Sequence, residues 1–305
     1  MYTDSQKINF QKDILKKFFS EIIDSKYVYI DVPLYPNIGD WLIALGAWEL
    51  LKDLPYRCVG RWRWDDVEPK EIDLKTIVLL QGGGNFGDLY RGATEARNKI
   101  ISMFPDNKII ILPQTITYLN QNLIKLDVEV CAQHKDLHIC ARDNQSYQIL
   151  LQYFKKNKIY LLPDTALGLY GLLPQQLNVE IEKTLILNRC DKEALELFID
   201  SGDIREWNDI MSDINFNVVW IPYRLLHKVK KMLNSTILRR LENKYILNIL
   251  YPFIKRYIPQ YFLRYQLIKT TRLHGYLLAL IMHIPVEILD SKYQKIHNYN
   301  TTWNL

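Results

Sequence analysis

The chain has 305 residues, of which 48% are hydrophobic and 24% charged, and this composition excludes a disordered protein and a bundle of membrane spans. No stretch reaches the ~18 uninterrupted apolar residues of a transmembrane helix, and the N-terminal residues lack the apolar block of a secretory signal. Four widely spaced cysteines without a CxxC pair argue against a disulfide framework and a zinc site, so we expect a cytoplasmic protein without a metal.

The net charge of +5 is unevenly distributed along the chain. Residues 222–270 contain eleven Lys and Arg against one acid, Glu242, so this basic segment carries +10 and leaves −5 for the rest. The segment is also rich in Tyr and Phe.

In the first half of the chain, short β-branched runs alternate with amphipathic stretches. The predicted strands are Tyr27–Val32, Thr76–Leu80, Lys108–Leu112, Leu137–Cys140 and Lys158–Leu162. The predicted helices are Trp41–Lys52, Ala93–Phe104 and Asn144–Lys155. This alternation predicts a parallel sheet covered by helices on both faces, with ligands at the carboxyl ends of its strands.

A Pro-, Gln- and Asn-rich stretch at Gly171–Lys183 is typical of a linker, and a second series of elements follows it. We predict strands at Thr184–Leu187, Asn217–Ile221, Gln266–Lys269 and Val286–Leu289, and helices after Asp191 and at Leu273–Met282. The sequence therefore predicts two α/β lobes, 1–175 and 180–305, the second interrupted by a basic helical segment at 222–269. A cleft between two such lobes is the expected ligand site.

A glycine-rich segment, Gln81–Tyr90, follows a predicted strand and satisfies G-x-G-x-x-G through Gly82, Gly84 and Gly87. NAD and FAD are nevertheless disfavoured, because the motif is not on the first strand and Asp88 stands where a pyrophosphate would bind. The next strand also ends without an acid to hold a ribose. The glycines allow a ligand or a neighbouring loop to approach the backbone, or they simply form a tight turn.

The segment Pro36–Asp40 ends the first predicted strand and opens a helix. Asn37 or Asp40 could cap that helix. Alternatively, Asp40 and Asp88 face a hydroxyl-rich substrate, which suits carboxylates as hydrogen-bond acceptors or as a base.

Two further strand ends carry arginines. Arg272 and His274 lie where a predicted strand meets a helix, a combination of cation, proton donor and backbone N–H groups that favours an anion site. Arg272 could instead pair with a structural carboxylate. Arg189 follows the first predicted strand of the second lobe, and it could reach the same cleft or pair with Asp191 or Glu193.

The Arg142-Asp143 and Pro163-Asp164 pairs also close strands, and we interpret both as structural, with Asp143 a candidate N-cap. We interpret the other five histidines as structural too: His134, His138, His227, His283 and His297.

In this order, the motifs resemble the polysaccharide pyruvyl transferase family. The resemblance runs from about Val32 to Lys295. The motifs are Asn37-Ile38-Gly39-Asp40, Gly82-Gly83-Gly84-Asn85, Gly87-Asp88-Leu89-Tyr90, Leu112-Pro113-Gln114-Thr115, Ala141-Arg142-Asp143, Pro163-Asp164, Arg189-x-Asp191-x-Glu193, Arg272-Leu273-His274-Gly275 and Asp290-Ser291-x-Tyr293-x-Lys295. Thr271 stands where some members of the family carry Asp.

The resemblance implies two Rossmann-like lobes of the glycosyltransferase-B type and the transfer of pyruvate from phosphoenolpyruvate to a sugar as a cyclic ketal. It implies donor binding in the C-terminal lobe, with His274 and Arg272 as catalytic residues and His274 as general acid or phosphate partner. The expected donor-binding residues are Arg189, Arg272, Leu273 and His274. The expected acceptor-binding residues, in the N-terminal lobe, are Asp40, Gly83, Gly84, Asn85, Asp88 and Tyr90. Neither a cofactor nor a metal is expected, because ketal formation involves no redox step.

The basic segment suits an anionic membrane surface, where a lipid-linked sugar acceptor would be found. We therefore expect peripheral attachment to the inner face of the plasma membrane through residues 239–269. The alternative is a solvated helical pair whose aromatic residues pack on the lobe; nucleic acid fits less well. Two other functions stay open, a two-lobed glycosyltransferase using a nucleotide sugar and a catalytically silent scaffold of an envelope-polymer assembly complex.

Overall fold

The computed structural model describes residues 4–176, 183–195, 202–233 and 235–304. The chain divides into two compact units. The first unit comprises Met1–Leu34, Leu42–Tyr170 and His297–Leu305, and the second comprises Tyr35–Trp41 and Gly171–Ile296.

The first unit is built on a parallel sheet flanked by helices. Its strands are β1 (Tyr27–Ile30), β2 (Cys58–Trp62), β3 (Ile77–Leu80), β4 (Gly83–Gly87), β5 (Ile109–Thr117), β6 (Leu137–Ala141) and β7 (Lys158–Leu161). The helices of this part of the chain are α1 (Asp4–Ile22), α2 (Ile38–Leu51), α3 (Arg91–Met103), α4 (Gln121–Ala132) and α5 (Asn144–Tyr153).

The strand order of this sheet is β2-β1-β3-β5-β6-β7, and β4 pairs with β5. β1 and β3 are buried at every position because a parallel sheet covered on both faces leaves no solvent-facing side. Their continuous apolar sequences, Tyr-Val-Tyr-Ile and Ile-Val-Leu-Leu, meet that requirement.

The second unit is built on a smaller parallel sheet. Its strands are β8 (Thr184–Leu187), β9 (Asp203–Arg205), β10 (Leu267–Thr270) and β11 (Val286–Ile288), in the order β11-β10-β8-β9. The remaining helices are α6 (Trp207–Asp213), α7 (Asn217–Leu233), α8 (Thr236–Tyr245), α9 (Tyr251–Phe262), α10 (Leu273–Ile281) and α11 (Lys295–Trp303). A π-helical turn at Ile246–Leu250 connects α8 to α9.

Both sheets reverse their winding direction at one place. In the first sheet β1 lies between β2 and β3, and in the second sheet β8 lies between β9 and β10. In doubly wound sheets, ligands bind at the carboxyl ends of the two strands where the winding reverses. The topology therefore points to the residues after β1 and β3 in the first unit and to those after β8 and β10 in the second.

Two predicted elements are wrong. Asn217–Ile221 is the start of α7 rather than a strand, because Val219 and Tyr223 lie one helical turn apart and are buried together, whereas Val218 and Ile221 are exposed. Part of the glycine-rich segment is strand β4, paired in parallel with β5, rather than a tight turn.

Two other predictions fall partly outside the described residues. The linker at Gly171–Lys183 includes residues 177–182, and the helix predicted after Asp191 includes residues 196–201. Among the helices that the structure describes, none combines the length and the hydropathy that a segment crossing a bilayer needs.

Candidate active site

Arg189 and Arg272 lie side by side at the carboxyl ends of β8 and β10. The two strands pair in parallel, with Leu187 opposite Thr270, so the residue two positions beyond each strand end is an arginine. The hydroxyl of Thr271 links the two strand ends because it accepts a hydrogen bond from the Arg189 N–H (2.9 Å) and donates to the Leu187 carbonyl (3.3 Å). This is the place where the winding of the second sheet reverses.

Arg272 is held by Glu206, an acid that directly follows β9. Nε and Nη2 of Arg272 donate to the two carboxylate oxygens of Glu206 at 2.7 and 2.5 Å. Glu206 also caps α6 and accepts the backbone N–H of Cys190 at 3.1 Å. The side chains of Arg272 and Glu206 keep 15% and 18% exposure, so solvent reaches this ion pair.

Arg189 is held more deeply, by Asp191 and Glu193. Its guanidinium donates to both oxygens of Asp191, at 2.8 and 2.9 Å, and to Glu193 at 3.0 Å. Glu193 is 2% exposed and also binds Lys295 at 2.7 Å. Burial alone would raise the pKa of Asp191, but hydrogen bonds from Arg189 and the charges of Arg189 and Arg272 hold it below its ordinary value.

One oxygen of Asp191 lies between the two arginines. Oδ2 of Asp191 is 2.9 Å from Nη2 of Arg189 and 3.6 Å from Nη2 of Arg272. The position that this oxygen occupies is therefore one where a single anionic group faces two guanidinium groups. Three cations and three carboxylates balance in this cluster: Arg189, Arg272 and Lys295 against Asp191, Glu193 and Glu206.

His274 occupies the first turn of α10, directly after Leu273, which is buried, and its ring packs on Gly39. A Cβ built on Gly39 would lie 2.7 Å from Nδ1 of His274, so only glycine allows the ring to take this place. The segment Tyr35–Trp41 thus belongs to the same compact unit as the arginines, although it follows the first strand of the other unit.

Asp40, predicted as an acceptor residue or a cap, is not the residue that caps α2. Asn37 caps it, because its Oδ1 accepts the Gly39 N–H at 3.0 Å. The Asp40 carboxylate accepts hydrogen bonds from the Tyr35 hydroxyl (2.9 Å) and the Asn37 amide (2.8 Å). The predicted domain boundary placed Asp40 with Asp88; the structure instead groups it with Arg272 and His274.

In the first unit, the glycine-rich segment packs closely against β5. A Cβ on Gly82 would lie 2.8 Å from the Pro113 carbonyl oxygen, and one on Gly87 would lie 1.9 Å from that of Thr117. These two glycines are therefore needed for packing. Gly83 and Gly84 stand at the carboxyl end of β3, where the winding of the first sheet reverses.

Two other predicted acceptor residues have side chains engaged within the unit. Asn85 accepts a hydrogen bond from the buried Arg97 at 2.7 Å. Both oxygens of Asp88 accept backbone N–H groups, from Leu119 (2.9 and 2.8 Å) and from Asn120 (2.6 Å). The carboxylate of Asp88 therefore anchors the loop before α4, and its contact with the substrate stays a prediction. Tyr90 precedes α3 and does not cap it through its side chain.

The residues interpreted as structural do make structural contacts. Asp143 caps α5 by accepting the Ser146 N–H at 2.8 Å, and Arg142 forms a buried ion pair with Asp164 at 2.8 Å.

Sequence reasoning missed Glu206 and the roles of Thr271 and Ser291. The sequence indicates only that Glu206 begins a helix, because an acid followed three residues later by Asp209 matches a helix capping box. Within the described residues, Oδ1 of Asn188 and Oγ of Ser291 are buried polar atoms without a hydrogen-bond partner, and both residues follow strands of the second sheet. Such atoms are suited to receive a ligand.

Comparison with known proteins decides the family. A sequence model described as polysaccharide pyruvyl transferase matches residues 37–293, which include the 37–40 segment, both arginines and His274. The chain belongs to the polysaccharide pyruvyl transferase family. It is therefore a transferase, as the resemblance implied.

The chain is 31% identical over 306 residues to EpsO of Bacillus subtilis, a protein named as a pyruvyl transferase. The match covers 99% of the chain and 91% of EpsO. The chain is 26% identical to pyruvyl transferase 1 of Schizosaccharomyces pombe, over 94% of its length and 71% of that protein. A crystal structure of an uncharacterised Klebsiella pneumoniae protein shares the α/β fold, with a TM-score of 0.53 and 19% identity over 96% of this chain and 93% of that one.

Proposed function

We propose that this transferase moves pyruvate from phosphoenolpyruvate onto a sugar of an exopolysaccharide or capsule precursor as a cyclic ketal. The observation that carries the proposal is the Asp191 oxygen between Arg189 and Arg272. Phosphoenolpyruvate presents two anionic groups, a phosphate and a carboxylate, and paired guanidinium groups suit both. Family membership favours this reaction over a glycosyl transfer or a scaffold role.

In this proposal the donor takes the places of protein carboxylates. Arg272 is the more accessible arginine, because its partner Glu206 is partly exposed whereas Glu193, a partner of Arg189, is buried. One anionic group of the donor replaces Glu206 on Arg272, and the other replaces the bridging oxygen of Asp191. Arg189 stays in place through Glu193. The unpartnered hydroxyl of Ser291 and the N-terminal N–H groups of α10 supply further donors.

The chemistry needs one proton at the donor carbon and two attacks by hydroxyl groups. His274 donates a proton to the enol CH2, which becomes a methyl group, while a sugar hydroxyl adds to the neighbouring carbon and returns its own proton to His274. A second hydroxyl of the same sugar then replaces phosphate on that carbon: the carbon–oxygen bond to phosphate breaks, the second carbon–oxygen bond to the sugar forms, and phosphate leaves with the proton of this hydroxyl. The arginines stabilise the negative charge of the leaving phosphate.

The acceptor side of the proposal rests on position. Gly83 and Gly84 lie at the reversal point of the first sheet. Asp40, whose carboxylate is held by the side chains of Tyr35 and Asn37, and Tyr90 supply a carboxylate and a phenol for sugar hydroxyls. Asp88 and Asn85 are left out of this contact set because Asp88 accepts backbone N–H groups that anchor a loop and Asn85 accepts from the buried Arg97.

The test measures thermal stabilisation by phosphoenolpyruvate beside a panel of nucleotide sugars. A ligand at ~100 times its dissociation constant adds about 2.7 kcal/mol to the free energy of unfolding, an easily measured shift. We expect phosphoenolpyruvate to produce it and Arg272→Ala and Arg272→Lys to lose it. Arg57→Ala, which removes an exposed arginine of the first unit, is the matched control and keeps it.

Turnover is followed by release of phosphate from phosphoenolpyruvate in the presence of methyl glycosides that present either a vicinal diol or a diol separated by one carbon. Phosphate release together with a new ketal methyl resonance supports the proposal. Stabilisation by a nucleotide sugar alone, with no phosphate released from phosphoenolpyruvate, would overturn it in favour of glycosyl transfer.

A further inference from the structure

An apolar stripe runs along the exposed side of α7. Its residues recur at spacings of three and four, which places them on one face of a helix. They are Val218, Ile221, Leu225, Val229 and Met232. Leu225 is 60% exposed and Met232 74%. Large aliphatic side chains in a continuous exposed row indicate an interaction surface rather than scattered surface residues.

A row of cations borders this stripe. Arg224 and Lys228 each follow a stripe residue by three positions, and positions three and four apart on a helix are neighbours. Lys231 continues the row one turn further on, and all three side chains are exposed. The start of α8 repeats the pattern, since Ile237 and Leu241 are exposed and Arg240 and Lys244 follow them at the same spacing of three.

The opposite side of α7 anchors the helix. Lys230 is buried and donates to Glu242 of α8, and His227 lies 2.7 Å from the same carboxylate. The Tyr245 hydroxyl donates to the Val219 carbonyl at 2.9 Å. Hydrogen bonds from His227 and Lys230 hold the pKa of Glu242 below its ordinary value against the effect of burial, so it stays a carboxylate. The stripe therefore belongs to a helix whose orientation is fixed.

The apolar stripe on α7 lies outside residues 239–269, the segment for which the sequence predicts membrane contact. Many apolar residues of that segment are buried in the second unit, among them Ile246, Leu250, Ile254, Ile258, Tyr261 and Phe262. They form the inner face of α9 and of the π-helical turn before it, and a buried side chain cannot enter a bilayer. The continuous row of exposed apolar residues lies earlier in the chain, on α7 and the start of α8, whereas Ile249 and Tyr257 are single exposed side chains of that segment.

We propose that α7 and the start of α8 dock on an anionic membrane surface, with the apolar stripe in the interface and the bordering cations on lipid phosphates. An interfacial helix is held on a bilayer by the burial of its apolar side chains and by the attraction of its cations to anionic lipids. Between residues 217 and 245 the one acid is the buried Glu242, so pairing this face with a second copy would bring like charges together. The exposed residues among the cations are aliphatic and cannot stack on bases, which disfavours nucleic acid.

The experiment is co-sedimentation of the whole protein with vesicles of pure phosphatidylcholine or of phosphatidylcholine in which roughly a third of the lipid is phosphatidylglycerol. We expect the partition coefficient to be at least about tenfold larger on the anionic vesicles and to fall as salt is raised. Leu225→Glu/Val229→Glu should lose this binding. Arg224→Gln/Lys228→Gln should reduce it towards the level on neutral lipid.

The matched control is Leu126→Glu/Leu151→Glu, which places the same charges on exposed leucines of α4 and α5 and should bind like the unmodified chain. Amide hydrogen exchange of the unmodified protein, measured with and without anionic vesicles, tests the same surface without a variant. We expect the vesicles to slow exchange in α7. Equal binding to both vesicles, no binding, or protection confined to other elements would overturn the proposal. So would a dimer in light scattering that the stripe variant converts to a monomer.

Discussion

The imidazole of His274 rests on the Cα atom of Gly39: a Cβ at that glycine would be 2.7 Å from Nδ1 and 3.1 Å from Cγ of the ring. The two residues are 235 positions apart in the chain and belong to two of the motifs that define the family resemblance. The contact explains why a glycine stands in the first turn of α2, where the backbone itself does not need one.

This contact predicts that Gly39→Ala impairs catalysis without harming the fold. Alanine favours a helix over glycine, so the substitution acts by displacing the His274 ring. We expect the turnover rate to fall about 10- to 100-fold, as small misplacements of catalytic groups do. The measurement is phosphate release from phosphoenolpyruvate alongside the unfolding midpoint. Gly92→Ala, at a helix position with open space around it, is the control, and equal activity of both variants would contradict the prediction.

Glu206→Gln tests whether this acid competes with the donor for Arg272. Glutamine can keep a hydrogen bond to Arg272 and the cap of α6, but it removes the negative charge that now neutralises the guanidinium. We expect phosphoenolpyruvate to bind about 3- to 10-fold more tightly, close to 1 kcal/mol. Titration by calorimetry measures it. Weaker donor binding would mean that Glu206 mainly positions Arg272 for the ligand.

Thr271→Val tests the link between β8 and β10. The variant leaves the buried N–H of Arg189 without its acceptor, which costs about 1–3 kcal/mol of the free energy of unfolding. Thr271→Ser retains the hydroxyl and should lose much less. Chemical denaturation measures both, and a loss in Thr271→Ser as large as that in Thr271→Val would contradict the dominant role of the hydroxyl.

The surroundings of His134 predict that the folded protein loses stability in mild acid. Burial lowers the pKa of His134 below the ordinary value near 6.5, and both ring nitrogens are engaged: Nε2 lies 2.8 Å from the Phe104 carbonyl, and Nδ1 accepts the Asp136 N–H at 3.1 Å. Below about pH 6.5 the unfolded chain binds a proton that the folded chain resists, so stability falls as the pH drops towards the folded pKa.

The slope from one such proton is at most ~1.4 kcal/mol per pH unit. We therefore expect the stability advantage of the unmodified chain over His134→Asn to shrink between pH 7.5 and 5.5 in denaturation curves. His138, whose pKa is also lowered by burial, should keep part of the pH dependence in the variant. Curves that stay parallel over this range would contradict the assignment.

The central strands β1, β3 and β5 were predicted as continuous apolar runs, because burial on both faces leaves a readable pattern. β2 and β9 were not predicted because Gly, Arg or Asp interrupts their apolar residues, whereas the edge strands β7 and β11 were predicted. Asn217–Ile221 was misread because five residues with two valines fit a strand as well as a helix. Only the anchoring of Val219 and Tyr223 against neighbouring helices decides between them.

The sequence by itself determined the chemistry available to this protein: two arginines and a histidine after predicted strands, a 37–40 segment at the start of a helix, and a basic segment with one acid. What each of them touches was decided by tertiary structure. Parallel pairing of β8 with β9 and β10 brings Glu206 and Arg189 to Arg272, and packing brings Gly39 under His274. Strand order and helix packing join residues far apart in the chain, and such contacts leave no periodic signal in one sequence.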